Sequence, residues 1–183
     1  MPMTIAVLQA TVVSPSAGSP IRTAILDAVR PYAFKRGGEK RRFNVKFIRT
    51  DGTAAVVRCA PADEDEATWS DRFSKEGDLT TFFLRRSSGR WRLLGGLSDF
   101  HEGGQISVYD LRPLRPLGFP MRLLAGADDP GLPTAARGRY LFAFDERFRP
   151  MPITSAQADA LARSKADGKI GGRYAQITRF RPA

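Results

Sequence analysis

The hydrophobic period of this chain changes once between residues 19 and 98, and that change limits the fold more than any other feature. From Ser19 to about Phe34 the apolar residues return at helical spacing, with Ile21, Ile25, Ala28, Val29 and Tyr32 on one face. Ser19 is a suitable N-cap, and Pro20 then takes the first helical position, where a missing N–H costs nothing. Pro31 should end or kink the ladder near Arg30. Beyond residue 42 the period becomes two. Phe43, Val45 and Phe47 alternate with Asn44 and Lys46, which predicts a half-buried strand. Asp51-Gly52 reads as the centre of a type I′ turn, with Thr53–Cys59 returning as the paired strand. Thr80–Arg85 and Trp91–Leu94, joined through Ser87-Ser88-Gly89, predict a second hairpin. A helix followed by an antiparallel meander predicts an α+β fold, its N-terminal helix packed on a curved antiparallel sheet.

The second half reads differently. Phe100–Gln105 carries paired glycines, and Pro113, Pro116, Pro120, Pro130 and Pro133 forbid long regular elements. Residues 101–137 are therefore expected to be a linker between a domain at 19–100 and a small subdomain at 138–183. In that subdomain a strand is expected at Arg139–Phe144. A helix follows, opened by Thr154 with Gln157 three residues on, which is the spacing of a capping box, and it stops near Gly168. Tyr174–Phe180 then supplies a last strand. Such a β-α-β extension cannot bury a core alone and should pack on the first half or on another subunit. Gly-Arg-aromatic recurs at residues 89–91, 138–140 and 172–174 and reads as turn chemistry entering a strand.

The chain has 183 residues, 42% of them hydrophobic and 10% aromatic, enough for a packed core. Its net charge is +10 and its basic residues are mostly Arg, a field that favours anionic partners. The excess is not concentrated: residues 1–100 hold 16 Lys and Arg against 11 Asp and Glu, and residues 101–183 hold 13 against 8. A single cysteine, Cys59, excludes an intramolecular disulfide and a cysteine-rich zinc site, and its apolar setting predicts a buried structural thiol. One histidine excludes a histidine-based metal cluster, and no cofactor or metal is expected. No apolar run has the length of a membrane span. Ile5–Val13 is apolar without a basic region before it, so residues 1–18 fit an N-terminal strand or the remnant of a signal sequence. The compartment stays open between cytoplasmic and periplasmic or secreted.

The string Ser19-Pro20-Ile21-Arg22-Thr23-Ala24-Ile25-Leu26-Asp27-Ala28-Val29-Arg30-Pro31 resembles the opening of an uncharacterised group of bacterial domains. In that group such a helix precedes curved strands, the last carrying an aromatic and ending in Asp. Phe43–Phe47, Thr53–Cys59, Phe82–Arg86 and Trp91–Asp99 occupy the matching places. The group looks like the nuclear-transport-factor-like or cystatin-like α+β class, which implies a cone with a pocket between helix and sheet. The resemblance covers residues 19–99, carries no assigned chemistry, and says nothing of the second half.

Three constellations could carry chemistry. Asp99-Phe100-His101-Glu102 places carboxylates beside the one histidine, a set suited to proton transfer by Asp99 and His101 as in a lyase or isomerase. Neighbouring strand residues point to opposite faces, however, and the glycines that follow suggest a solvated loop. Asp63-Glu64-Asp65-Glu66 lacks the glycine and spacing of a calcium loop and reads as solvated. The basic loop at 35–42 is the leading anion-binding candidate, through Lys35, Arg36, Lys40, Arg41 and Arg42, with Gly37-Gly38 permitting close backbone approach and Phe34 and Phe43 flanking it. Arg85, Arg86, Arg90 and Arg92 form a second basic cluster around one hairpin. No glycine-rich phosphate motif or nucleophile elbow is present. The expectation is a binding or accessory protein that recognises a protein partner or a small anionic ligand. A basic nucleic-acid- or phosphate-binding protein is the alternative, and a homodimer is left open.

Overall fold

The computed structural model describes residues 11–32, 43–61, 81–97, 106–124, 141–144, 150–166, 175–179 and 181–183. These form a mixed α+β structure: helix α1 (Pro20–Val29), then strands β1 (Phe43–Thr50), β2 (Ala54–Pro61), β3 (Thr81–Ser87), β4 (Arg90–Leu97) and β5 (Ile106–Asp110). Strands β6 (Leu141–Phe144) and β7 (Pro150–Pro152), helix α2 (Ser155–Ala166), and strands β8 (Ala175–Arg179) and β9 (Arg181–Pro182) follow. Strands β1 to β4 are antiparallel neighbours in chain order, and β9 adds to the far side of β4. A second set runs β7-β6-β5-β8, in which β5 and β8 are parallel.

Local chemistry sets the ends of α1. The Ser19 hydroxyl accepts from the Arg22 N–H at 3.4 Å, and its carbonyl accepts from the Thr23 N–H at 3.0 Å. Arg22 Nη1 donates to the Pro15 carbonyl at 3.1 Å and ties the preceding loop to the helix. The helix ends at Val29 with Arg30 as the cap, whose N–H makes the last regular bond, to the Leu26 carbonyl at 3.0 Å. Tyr32, expected on the buried face, is 46% exposed. The helix has already ended there, and the Tyr32 N–H turns back to the Val29 carbonyl at 2.9 Å, so its side chain leaves that face. At α2 the expected capping box is complete: the Thr154 N–H donates to Gln157 Oε1 at 2.8 Å and the Gln157 N–H to Thr154 Oγ1 at 3.2 Å.

Strands β2 and β3 are buried on both faces. Ala54, Val56 and Phe83 belong to one apolar cluster, while Ala55, Val57, Phe82 and Leu84 belong to another. Successive strand side chains point in opposite directions, so unbroken burial requires a cover on each side. Ile25 and Val29 of α1 join the second cluster. Leu111, Leu114, Phe119 and Leu123 join the first, and the rings of Phe83 and Phe119 meet edge to face at 5.2 Å and 88°. Gly95 and Gly96 lie inside β4, opposite Phe83 and Phe82.

Residues 106–124, expected to belong to a linker, hold β5 and two 3-10 turns, Arg112–Leu114 and Met121–Leu123. Proline does limit the length of an element there. It does not prevent burial, because Pro113 enters the first turn where its missing N–H has no intrahelical partner to lose, and Pro120 caps the second. Arg112 steadies the stretch, donating from Nε and Nη2 to the Asp110 carboxylate at 2.8 and 2.7 Å and from Nη1 to Ser155 Oγ at 2.9 Å.

The turn chemistry is redistributed between the hairpins. Of the first turn's residues only Gly52 takes positive φ, 86°, so Asp51-Gly52 is not a type I′ pair. Ser88 and Gly89, at φ 50° and 76°, meet the type I′ requirement and form a two-residue loop, since Ser87 pairs with Arg90.

Replacing Phe83 or Phe119 by Ala should cost about 3–5 kcal/mol each in urea unfolding. The double variant should fall short of the sum by roughly 0.5–1.5 kcal/mol, because the edge-to-face contact is lost only once. Strictly additive losses would count against the packing of residues 111–124 on this sheet.

Candidate anion-binding site

The β3–β4 hairpin leaves the core as a basic ribbon. Residues 81–97 contain four arginines and no carboxylate, and residues 85–90 are all exposed. Register decides which arginines share a face. Phe83 faces the first cluster, so Arg85 two residues on lies on that side, and it stands directly opposite Arg92. Arg90, two residues from Arg92, shares the face. Arg86 lies on the other, opposite the half-buried Trp91, which joins the second cluster.

Like charges facing each other across an antiparallel pair are destabilising. Arg85 is held in place despite this: its Nη1 donates to the Leu117 carbonyl. The acceptor sits in a turn closed by the Gly118 N–H to the Arg115 carbonyl at 3.0 Å. Gly118 is needed twice over. Its φ is +65°, and a Cβ built on it would lie 2.8 Å from Arg85 Nη1, so the guanidinium rests across the glycine. Arg115, in the same turn, is also exposed. None of Arg85, Arg86, Arg90 and Arg92 forms an ion pair with a described residue. The face therefore offers guanidinium N–H donors to an outside acceptor, Arg85 being the one whose orientation the fold sets.

A second polar feature lies at the β1–β2 turn. Asp51 Oδ1 accepts from the N–H groups of Thr53 and Ala54, each at 2.9 Å, and from the Thr53 hydroxyl at 2.8 Å. Its Oδ2 accepts from Arg122, in the second 3-10 turn, whose side chain is half exposed while that of Asp51 is fully buried. Burial pushes the Asp51 carboxyl up. The hydrogen bonds from Ala54 and Thr53, with the Arg122 charge, outweigh it and leave the group below its ordinary value of 3.8. This carboxylate is committed to structure and is not a general acid at neutral pH.

Cys59 is buried in β2, and burial pushes its thiol up to about 12 despite the charge of Arg58. It is a core residue. Among the described residues, no three His, Cys, Asp or Glu side chains are grouped to hold a metal ion. No helix among them is long and apolar enough to cross a membrane, which bears on helices alone.

Of the residues singled out from sequence, Arg85 and Arg90 share a face here with Arg92, while Arg86 lies on the other face. Lys35, Arg36, Lys40, Arg41 and Arg42 lie outside the described residues, as do Asp99, His101 and the acidic run at 63–66. Sequence reasoning missed the Leu117–Gly118 rest for Arg85 and the Arg122 partner of Asp51, which stand 32 and 71 positions away along the chain. The one local signal was Gly118 after Pro116, a turn pattern. Comparison with protein-family models, with curated proteins and with solved structures finds no match.

Asp51→Ala should destabilise the fold by about 2–4 kcal/mol and Arg122→Ala by about 1 kcal/mol or less. A carboxyl with a lowered folded-state value lends stability that is present above 3.8 and lost as pH falls further. The stability gap between wild type and Asp51→Asn should thus be widest near neutral pH and close below pH 3.8, as read by urea unfolding across pH. Native Cys59, in turn, should react with iodoacetamide on the order of a thousandfold more slowly than an unburied thiol, judged from its thiolate fraction. A rate matching the unfolded protein would show the thiol to be accessible.

Proposed function

We propose that this chain is a non-enzymatic α+β binding or accessory protein that holds an anionic ligand, or an acidic stretch of a partner, on the arginine face of the β3–β4 hairpin. The observation that carries the reading is the Arg85–Arg92 pair, two like charges set opposite each other on an exposed ribbon with no carboxylate on either strand. Such a pair costs stability when empty and is relieved when an anion lies between the two guanidinium groups. Planar guanidinium groups suit carboxylate and phosphate because they donate two parallel N–H bonds. The positive charge of the whole chain raises the local concentration of any such ligand.

The same reading places the chain in the nuclear-transport-factor-like or cystatin-like class, its helix over one face of a curved sheet and its C-terminal β-α-β unit an extension of that body. The buried Ile25 and Val29 of α1, in one cluster with β2 and β3, support the helix-on-sheet part.

Inorganic tripolyphosphate is a simple probe of the site. Calorimetric titration should show binding that Arg92→Ala weakens about tenfold, the loss of one charge-assisted contact. Gly118→Ala should weaken it too, because the new methyl pushes the Arg85 guanidinium off its rest. Equal affinity in wild type and both variants would remove the hairpin as the site.

A further inference from the structure

We infer that the ligand of this hairpin is an extended single-stranded nucleic acid, bound through its phosphodiester backbone; the inference rests on the arginine-face reading above. The argument is one of spacing. On a strand, side chains of one face recur every second residue, roughly 6.8 Å apart. Arg90 and Arg92 are such a pair on β4, and Arg85 stands across from Arg92 on β3. A nucleotide has twice as many backbone bonds as an amino-acid residue, so an extended nucleic-acid strand advances one phosphate in about the distance that β4 advances two residues. A strand laid along β4 meets a guanidinium group at each phosphate. Arg85 reaches the same phosphate as Arg92 from the other side.

Other features agree. The cations are arginines, whose forked donors suit phosphate oxygens, and Ser87, facing Arg90 across the ladder and exposed, adds a neutral hydroxyl donor on the same face. Residues 85–90 are all exposed, so the hairpin tip is open to a ligand lying along β4. The donors named here are suited to phosphate and not to base edges, which makes the binding independent of sequence. An acidic protein segment offers carboxylates whose spacing varies with side-chain conformation. It gains less from arginines set at a regular spacing along the strand.

The test is fluorescence anisotropy of a labelled oligothymidylate of about 12 nucleotides, within the site size of single-strand binders, titrated with the full chain over a range of salt. Competitors are the matching duplex, poly-glutamate of equal charge, and tripolyphosphate. Binding should weaken linearly in log–log salt, and Arg90→Ala with Arg92→Ala should flatten that slope by roughly 0.7 per residue removed. The double Lys variant should keep most of the slope; both variants should retain the wild-type circular dichroism and neither should melt below the wild type, since these side chains are exposed and losing Arg92 relieves the repulsion with Arg85. Oligothymidylate should bind at least about tenfold tighter than poly-glutamate. If poly-glutamate or tripolyphosphate binds in a manner sensitive to the arginines and oligothymidylate does not, the anion site stands and its assignment to nucleic acid falls. If duplex binds as well as single strand, the extended-strand geometry falls. If neither variant changes the binding of any anion, the site and the inference fall together.

Discussion

The burial of β2 and β3 on both faces is the constraint on which the other features depend. Val56 and Val57, and likewise Phe82 and Phe83, are neighbours in sequence that point in opposite directions, and all four are fully buried. A sheet with water on one side could hide only half of them. Ile25 and Val29 of α1 share a buried cluster with one set of these side chains, and buried residues of 109–124 share a cluster with the other.

Hydrophobic burial is non-directional and does not by itself place the 109–124 layer. Polar ties do. Arg122 reaches the buried Asp51 at the β1–β2 turn, the Leu117 carbonyl takes Arg85 of β3, and Arg112 joins Asp110 to the start of α2. Three prolines between residues 113 and 120 reduce the freedom that segment must lose on folding. The ties have a functional consequence. Fixing the Leu117 turn against β3 also fixes the one arginine of the basic face that the fold orients, so stability of the second layer and geometry of the candidate site share a contact.

Much of the local structure was legible in sequence because it depends on neighbours along the chain. The Ser19-Pro20 start of α1, the Thr154–Gln157 capping box and the buried Cys59 each follow from residues within one turn or strand. The first hairpin was read less well: a turn was expected at Asp51-Gly52, but the aspartate turns its carboxylate inward to three donors, and the type I′ pair falls at Ser88-Gly89 instead. The linker reading of 101–137 missed its buried leucines, since proline density reports on the length of regular elements and not on whether the chain between them is covered. The basic cluster at 85–92 was visible as composition; which arginines share a face was not, because that needs the register of β3 against β4, including the extra residue that the ladder accommodates between Phe83 and Leu84.

The sequence by itself determined where the helices start, that β1 to β4 form two successive hairpins, and that cations crowd one of them, all matters of short-range sterics, capping and period. Only the tertiary structure decided what covers each face of β2 and β3. A strand apolar on both sides carries no preference for one cover over another, and the choice is made by partners far away in the chain. The same holds for Arg85: its charge is a property of its residue type, but its direction belongs to a carbonyl 32 positions away.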